Sequence, residues 1–261
     1  MMQFGSIKFQ PSRARLTALI LCLGFLGQST LALAGPKKTG FKPKRGIGRS
    51  SQRIGLASRG GCSVTEDSKP LTTLVPKSIG VTAEALPVLP WFMPEHTYPS
   101  VEVRLLGESE FGMEIIHRQV FESLPKNQVV SYDLASAGVA PLEAGKLYKW
   151  QVHLVCNPDM PSGNRFADGW IEYEPASTEL TSQLASRSAE EKANLWLENG
   201  YWYDGIQSFI SMPAASGTSS ADWQALMTNE HVELDHLASL PMSSEAETIP
   251  DESAPTTDAM E

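Results

Sequence analysis

The chain has 261 residues, with 21 Lys and Arg against 30 Asp and Glu and a formal charge of −9. That length suits one or two modest domains, each with its own core. The acidic balance argues against nucleic acid as a partner, because phosphate binding needs a cationic surface.

Residues 1–34 have the layout of a secretory signal peptide. Lys8, Arg13 and Arg15 form a basic start, and Leu16 to Leu26 is apolar apart from Thr17 and Gly24. Ala32-Leu33-Ala34 then supplies the small-x-small pattern of a cleavage site before Gly35. The run is short for a hydrocarbon core of about 30 Å, which disfavours a membrane anchor, and no transmembrane segment is predicted after cleavage. Cleavage after Ala34 removes three of the 21 basic residues and none of the acidic ones. The remaining 227 residues carry 18 basic and 30 acidic side chains, a charge of −12, and are expected to be periplasmic or extracellular.

Residues 35–69 are predicted to be a basic flexible arm. Lys37, Lys38, Lys42, Lys44, Arg45, Arg49, Arg53 and Arg59 lie in 35–61 with no acidic residue, whereas 230–261 holds nine acidic residues and no Lys or Arg. Both ends read as solvated tails, the alternative being that the arm touches an anionic surface or the acidic tail. Cys22 leaves with the signal. Cys62 and Cys156 remain, and two cysteines in an exported chain predict one disulfide. Closing their separation of 94 residues stabilises a fold by roughly 3–4 kcal/mol in the chain-entropy account. Two independent thiols are the alternative. The lack of a C-x-x-C pair speaks against a redox or zinc role.

Residues 70–176 predict an antiparallel β-sandwich of the immunoglobulin or fibronectin kind, from about seven short strands in a hundred residues. The strands are Leu71–Val75, Val88–Met93, Val101–Leu105, Met113–Phe121, Val129–Leu134, Lys146–Cys156 and Trp170–Tyr173. In Lys146–Cys156, Tyr148, Trp150, Val152, Leu154 and Cys156 alternate with Lys149, Gln151 and His153, so the first set faces the core and His153 is expected to be solvated. Pro87, Pro90 and Pro94 place Val88–Met93 at a sheet edge or a bulge.

Residues 177–241 change to helical period, making the fold class α+β. Leu180 and Leu184 mark a short helix. Ser188-Ala-Glu-Glu191 is a capping box, and Ala189, Ala193, Trp196 and Leu197 follow on one face up to Gly200. Trp202, Ile206, Phe209 and Ile210 form a second stripe, and a third helix begins near Ala221 with Trp223, Leu226 and Met227. It is extended, less firmly, through Val232, Leu234 and Leu237. Ala189, Ala193, Trp196, Gly200, Gly205 and Phe209 match the small and aromatic positions of a single tetratricopeptide unit, which reads as a helical hairpin rather than a repeat array. Residues 242–261 are predicted to be an acidic disordered tail.

No G-x-S-x-G elbow, P-loop or H-E-x-x-H motif occurs, and Gly46-Ile-Gly48 has no strand before it. Asn157, Asp159, Asn164 and Asp168 read as a polar turn rather than a calcium loop. His231 and His236, about 140° apart on a helix, are poorly placed to chelate and are read as exposed. His96 and His117 have no recognisable acid–base partner. No catalytic residue, metal ligand or cofactor is therefore assigned. Tyr201, Trp202 and Tyr203 are the candidate partner-binding residues, with Trp202 in the hairpin core and the two tyrosines turned partly outward.

Arg59-Gly-Gly-Cys62, Leu71-Thr-Thr-Leu-Val-Pro76, Pro90-Trp-Phe-Met-Pro94, Gly145-Lys-Leu-Tyr-Lys-Trp150, Leu154-Val-Cys-Asn-Pro158, Gly169-Trp-Ile171 and Gly200-Tyr-Trp-Tyr-Asp204 occur together and in this order. In this the chain resembles a family of exported cyanobacterial proteins catalogued as a domain of unknown function, number 928. The resemblance covers roughly 59–240, supports export and the Cys62–Cys156 pair, and carries no catalytic residues. The expected function is a non-enzymatic binding or adaptor protein of the periplasm or cell envelope, acting through protein–protein contacts on an envelope or secreted protein. The alternatives are a structural envelope protein held by its basic arm to anionic polymer or lipid, and a hydrolase with an unrecognised site.

Overall fold

Period-two alternation becomes strand in the computed structural model, which describes residues 40–46, 49, 51–55, 62–212, 221–240 and 248–249. Residues 1–34, where a signal peptide is expected, lie outside this set. The strands are β1 (Thr72–Thr73), β2 (Gly80–Thr82), β3 (Val88–Met93), β4 (Ser100–Ser109), β5 (Gly112–Phe121), β6 (Gln128–Asp133), β7 (Leu147–Val155), β8 (Arg165–Tyr173) and β9 (Thr248–Ile249). They form two sheets, ordered β1-β3-β6-β9 and β2-β8-β7-β4-β5. Most pairs are antiparallel, but β2 joins β8 and β9 joins β6 in parallel. β9 falls in the tail predicted to be disordered, so these two residues depart from that expectation.

Strand β7 buries Tyr148, Trp150, Val152 and Leu154, as its alternation predicts. Its other face is not open to water. His153 is buried, with its ring stacked on Phe166 of β8 at 5.2 Å and Glu102 of β4 as its neighbour in the ladder. The expectation of a solvated His153 fails because β7 is a central strand and the long side chains of β4 and β8 lie over its polar face. Strand β3 is also interior, between β1 and β6, rather than at an edge. Pro90 is tolerated there because the two-residue β1 pairs only with Trp91 and Phe92. On that side position 90 uses its carbonyl alone, which accepts from the Leu74 amide at 3.0 Å.

Four helices follow: α1 (Thr178–Ala185), α2 (Ala189–Glu198), α3 (Trp202–Ile210) and α4 (Ala221–Met227). Ser177 caps α1 by accepting from the Leu180 amide at 3.2 Å. Both bonds of the Ser188–Glu191 capping box form. Gly200 ends the α2 turn with φ +79°, a conformation that strains any residue with a Cβ. The extension predicted beyond α4 is not helical. The Leu234 amide returns to the Met227 carbonyl at 2.8 Å, and Asp235–Leu237 is one short 3-10 turn. Val232, Leu234 and Leu237 are nonetheless buried, so their apolar spacing served the core rather than a helix.

Sheets and helices share one core, in which Trp91, Trp150, Trp202 and Trp223 are fully buried. Described residues of the arm belong to it too, against the expectation of flexible chain over 35–69. Phe41 is buried edge-on against Trp202 at 4.9 Å. The Gly55 amide donates to Leu71, the Thr73 amide to Arg53 and the Asp168 amide to Gln52, so 52–55 straps β1 to β8. Arg45 forms a fork on Glu172 and also reaches Glu174, while Lys44 meets Glu174 at 2.6 Å. Lys44 and Arg45 thus meet carboxylates of the protein itself, at the end of β8 and just after it.

Candidate functional site

The three residues singled out for recognition are all buried. Trp202 donates its indole N–H to the Leu74 carbonyl at 2.8 Å. The Tyr203 hydroxyl accepts from the Trp150 indole at 2.8 Å and donates to the Trp170 carbonyl at 3.1 Å. Burial pushes its ionisation far above the ordinary range. Gly80 makes this possible, because a Cβ there would lie 2.6 Å from the Tyr203 ring. Tyr201 packs with Val81, Leu180 and Leu184 and carries the Lys44 ammonium over its ring at 3.5 Å. The outward tilt expected of Tyr201 and Tyr203 is therefore wrong. Helix α3 packs on α2, β2 and β3, and Trp202, Tyr203, Asp204 and Gly205 of its first turn are all buried.

Exposed apolar surface lies instead on the β4–β5 hairpin. Phe111 at its tip is 91% exposed, and Ile115, Ile116 and Val120 on β5 are 50%, 53% and 42% exposed. Strand β5 is ten residues long and, among the described residues, ends its sheet with no strand beyond it. The ladder to β4 shifts between Leu105 and Leu106, a bulge that offsets Ile115 and Ile116 from regular alternation. A signal for this surface was in the sequence: Ile115 and Ile116 are adjacent, and period-two alternation cannot turn both toward one buried face.

A second feature is a cleft of about 360 Å³ between α2, α3 and the turn after β2. Its lining includes Glu84, Lys192, Trp196, Asp204, Gln207 and Ser208. The Asp204 carboxylate accepts from the Ala83 amide at 3.0 Å. Burial raises its pKa to about 6, against the lowering effect of that bond. The Trp196 ring is braced edge-to-face on Tyr201, centroids 5.2 Å apart.

The remaining polar candidates have structural partners. Asn157 accepts from the Asp159 amide, and Asn164 from the Cys156 amide. Asp168 is buried, with Lys149 at 2.8 Å and the Gln52 amide at 3.0 Å. His96 is buried and accepts from the Tyr98 amide, and His117 bonds the Tyr132 hydroxyl at 2.8 Å. His236 is half-buried against Thr72 at 3.0 Å rather than exposed. Among the described residues no three His, Cys, Asp or Glu side chains converge as metal ligands. Cys62 and Cys156 form the disulfide, with Cα atoms 5.7 Å apart.

The polar face of β4 and β7 makes stability depend on pH. Burial alone would raise the Glu102 pKa, but Arg118 and Arg104 outweigh it and hold the carboxyl down at about 2. Burial, assisted by Arg104, lowers His153 to about 4. The unfolded His153 takes up its proton near the ordinary value of 6.5, so the unfolded state binds more protons between about 6.5 and 4. Stability from this group is complete above that window and falls as pH drops through it. Glu102 adds a further loss between about 4.5 and 2. Asp204 opposes both, since its raised pKa favours the folded state as pH falls through about 6. His153→Gln should remove the histidine contribution. Denaturant unfolding at pH 7 and 4.5 should show the parent losing about 2–3 kcal/mol more than the variant. Equal losses would show that His153 titrates normally.

A family model described as Domain of Unknown Function (DUF928) matches residues 54–242, more than half of the chain. No curated protein matches it.

Proposed function

The chain belongs to the DUF928 family, to which no function is assigned, and we propose that it is a non-enzymatic binding or adaptor protein of the periplasm or cell envelope, acting through protein–protein contacts. The observation that carries this reading is the exposed apolar edge strand β5. A long edge strand with exposed apolar side chains is an aggregation hazard unless something covers it, and among the described residues no strand lies beyond β5. The occupant that suits it is an extended segment of a partner protein. Such a segment would add a strand to β5 and set its side chains against Ile115, Ile116 and Val120. The disulfide fits an oxidising compartment. Among the described residues no helix is long and apolar enough to cross a membrane.

We read the two sheets as a sandwich of the immunoglobulin or fibronectin kind. The α2–α3 pair resembles one tetratricopeptide unit, with Gly205 lying against Leu197 where a Cβ would come within 2.5 Å. Both scaffolds host binding surfaces without a reactive centre. The envelope-anchor alternative is weakened because Lys44, Arg45 and Arg49 already face Glu174, Glu172 and Glu108.

A photo-crosslinking residue placed at Ile116 should yield a discrete adduct with one envelope or secreted protein, and one placed at the exposed Gln183 of α1 should not. Ile115→Lys with Val120→Lys should weaken that adduct more than tenfold while leaving stability within about 0.5 kcal/mol, since these side chains are exposed. Absence of an adduct overturns the reading, and an adduct with a second copy of the chain replaces the adaptor role with self-association.

A further inference from the structure

The α2–α3 cleft is separate from the β5 edge and has its own chemistry. We propose that it is a binding site for a short neutral saccharide, with Trp196 as the stacking platform and Asp204, Glu84, Lys192 and Gln207 as the hydroxyl-binding groups. The volume of about 360 Å³ falls at the lower end of ligand sites, which run from about 300 to 1,000 Å³. The lining mixes hydrogen-bond types. Two carboxylates accept, the Lys192 ammonium donates, and the Gln207 amide does both. A bound phosphate would face the carboxylates of Glu84 and Asp204, and a simple polyamine would face Lys192. Vicinal hydroxyls can satisfy both kinds of group, because each hydroxyl donates and accepts.

An aromatic surface in such a lining gives the C–H face of a sugar ring something apolar to cover. Trp196 is half-buried and held by Tyr201, so it offers that surface with little ordering cost on binding. Asp204 is the rigid member. It is buried, tied to the Ala83 amide on the turn after β2, and set on the first turn of α3. One of its roles is therefore to fix the cleft's shape. Trp196, Lys192 and Gln207 are less buried and so more open to a ligand entering from solvent.

The test is calorimetric titration of the full-length purified protein with cellohexaose, maltohexaose and chitohexaose, with inorganic phosphate and spermidine as comparison probes. At least one hexasaccharide should bind at millimolar affinity or better and perturb tryptophan fluorescence. Trp196→Ala should weaken it at least tenfold with the circular dichroism unchanged, and Gln207→Ala should also weaken it. Gln207→Ala keeps the test decisive if loss of Trp196 disturbs the α2 fold. Failure of all three saccharides up to about 10 mM overturns the proposal. So does saccharide binding that neither variant affects, or binding of phosphate or spermidine in place of saccharide. The β5 variants Ile115→Lys and Val120→Lys should leave saccharide binding intact, so failure at one site is distinguishable from failure at the other.

Discussion

Replacing Trp202 with alanine is expected to destabilise the protein by about 4 kcal/mol. The side chain is fully buried, Phe41 of the arm lies against it, and its indole N–H is the donor to the Leu74 carbonyl. Removal leaves a cavity where the arm, α3 and the chain after β1 meet. It also leaves the Leu74 carbonyl without that donor. A domain has a total of only about 5–15 kcal/mol, so the loss should appear as a drop in Tm of roughly 10 °C. Tyr203→Ala should cost about 3 kcal/mol or more, because it takes the acceptor from the Trp150 indole N–H and one donor from the Trp170 carbonyl as well as opening space. The two variants should therefore behave alike in denaturant unfolding. A Tyr203→Ala protein within about 1 kcal/mol of the parent would show that this tyrosine is a surface residue after all.

Loss of the disulfide should have an effect of similar size. Cys62→Ala with Cys156→Ala should lower stability by roughly 4 kcal/mol, because the bridge closes a separation of 94 residues in the unfolded chain. The segment beside Cys62 is also held by backbone bonds. Thr65 donates to Glu95 at 2.9 Å, and Thr97 donates to Ser63 at 3.0 Å. These bonds should keep 62–65 near the β3–β4 connection in the native variant, so the loss should appear in unfolding free energy more than in native structure. Denaturant unfolding with and without reductant, compared with the double variant, tests this. Alkylation of either thiol without prior reduction, or identical curves in all three samples, would contradict it.

Much of the local structure was legible in the sequence. The bounds of β3, the inward face of β7, the capping box of α2 and the Gly200 stop all follow from residues within a turn or two of one another. The candidate site was not legible in the same way. Tyr201, Trp202 and Tyr203 are consecutive aromatics with polar tips, a pattern that fits an interface and a core equally well. The cleft brings Glu84 beside Asp204, 120 residues later. No local pattern announces that meeting.

By itself the sequence indicated an α+β chain, the inward face of β7, the capping box of α2 and the Gly200 stop, because periodicity and capping are short-range constraints. Only the tertiary structure decided where the arm goes, since Arg45 finds Glu172 across 127 positions and a basic run carries no record of its partner. It also decided the parallel additions of β2 and β9, which have three and two residues and so no period to read. Finally it decided which aromatics face water. Packing of α3 on β2 closes over Tyr201 and Tyr203, whereas Ile115, Ile116 and Val120 stay exposed on β5, beyond which no strand lies among the described residues.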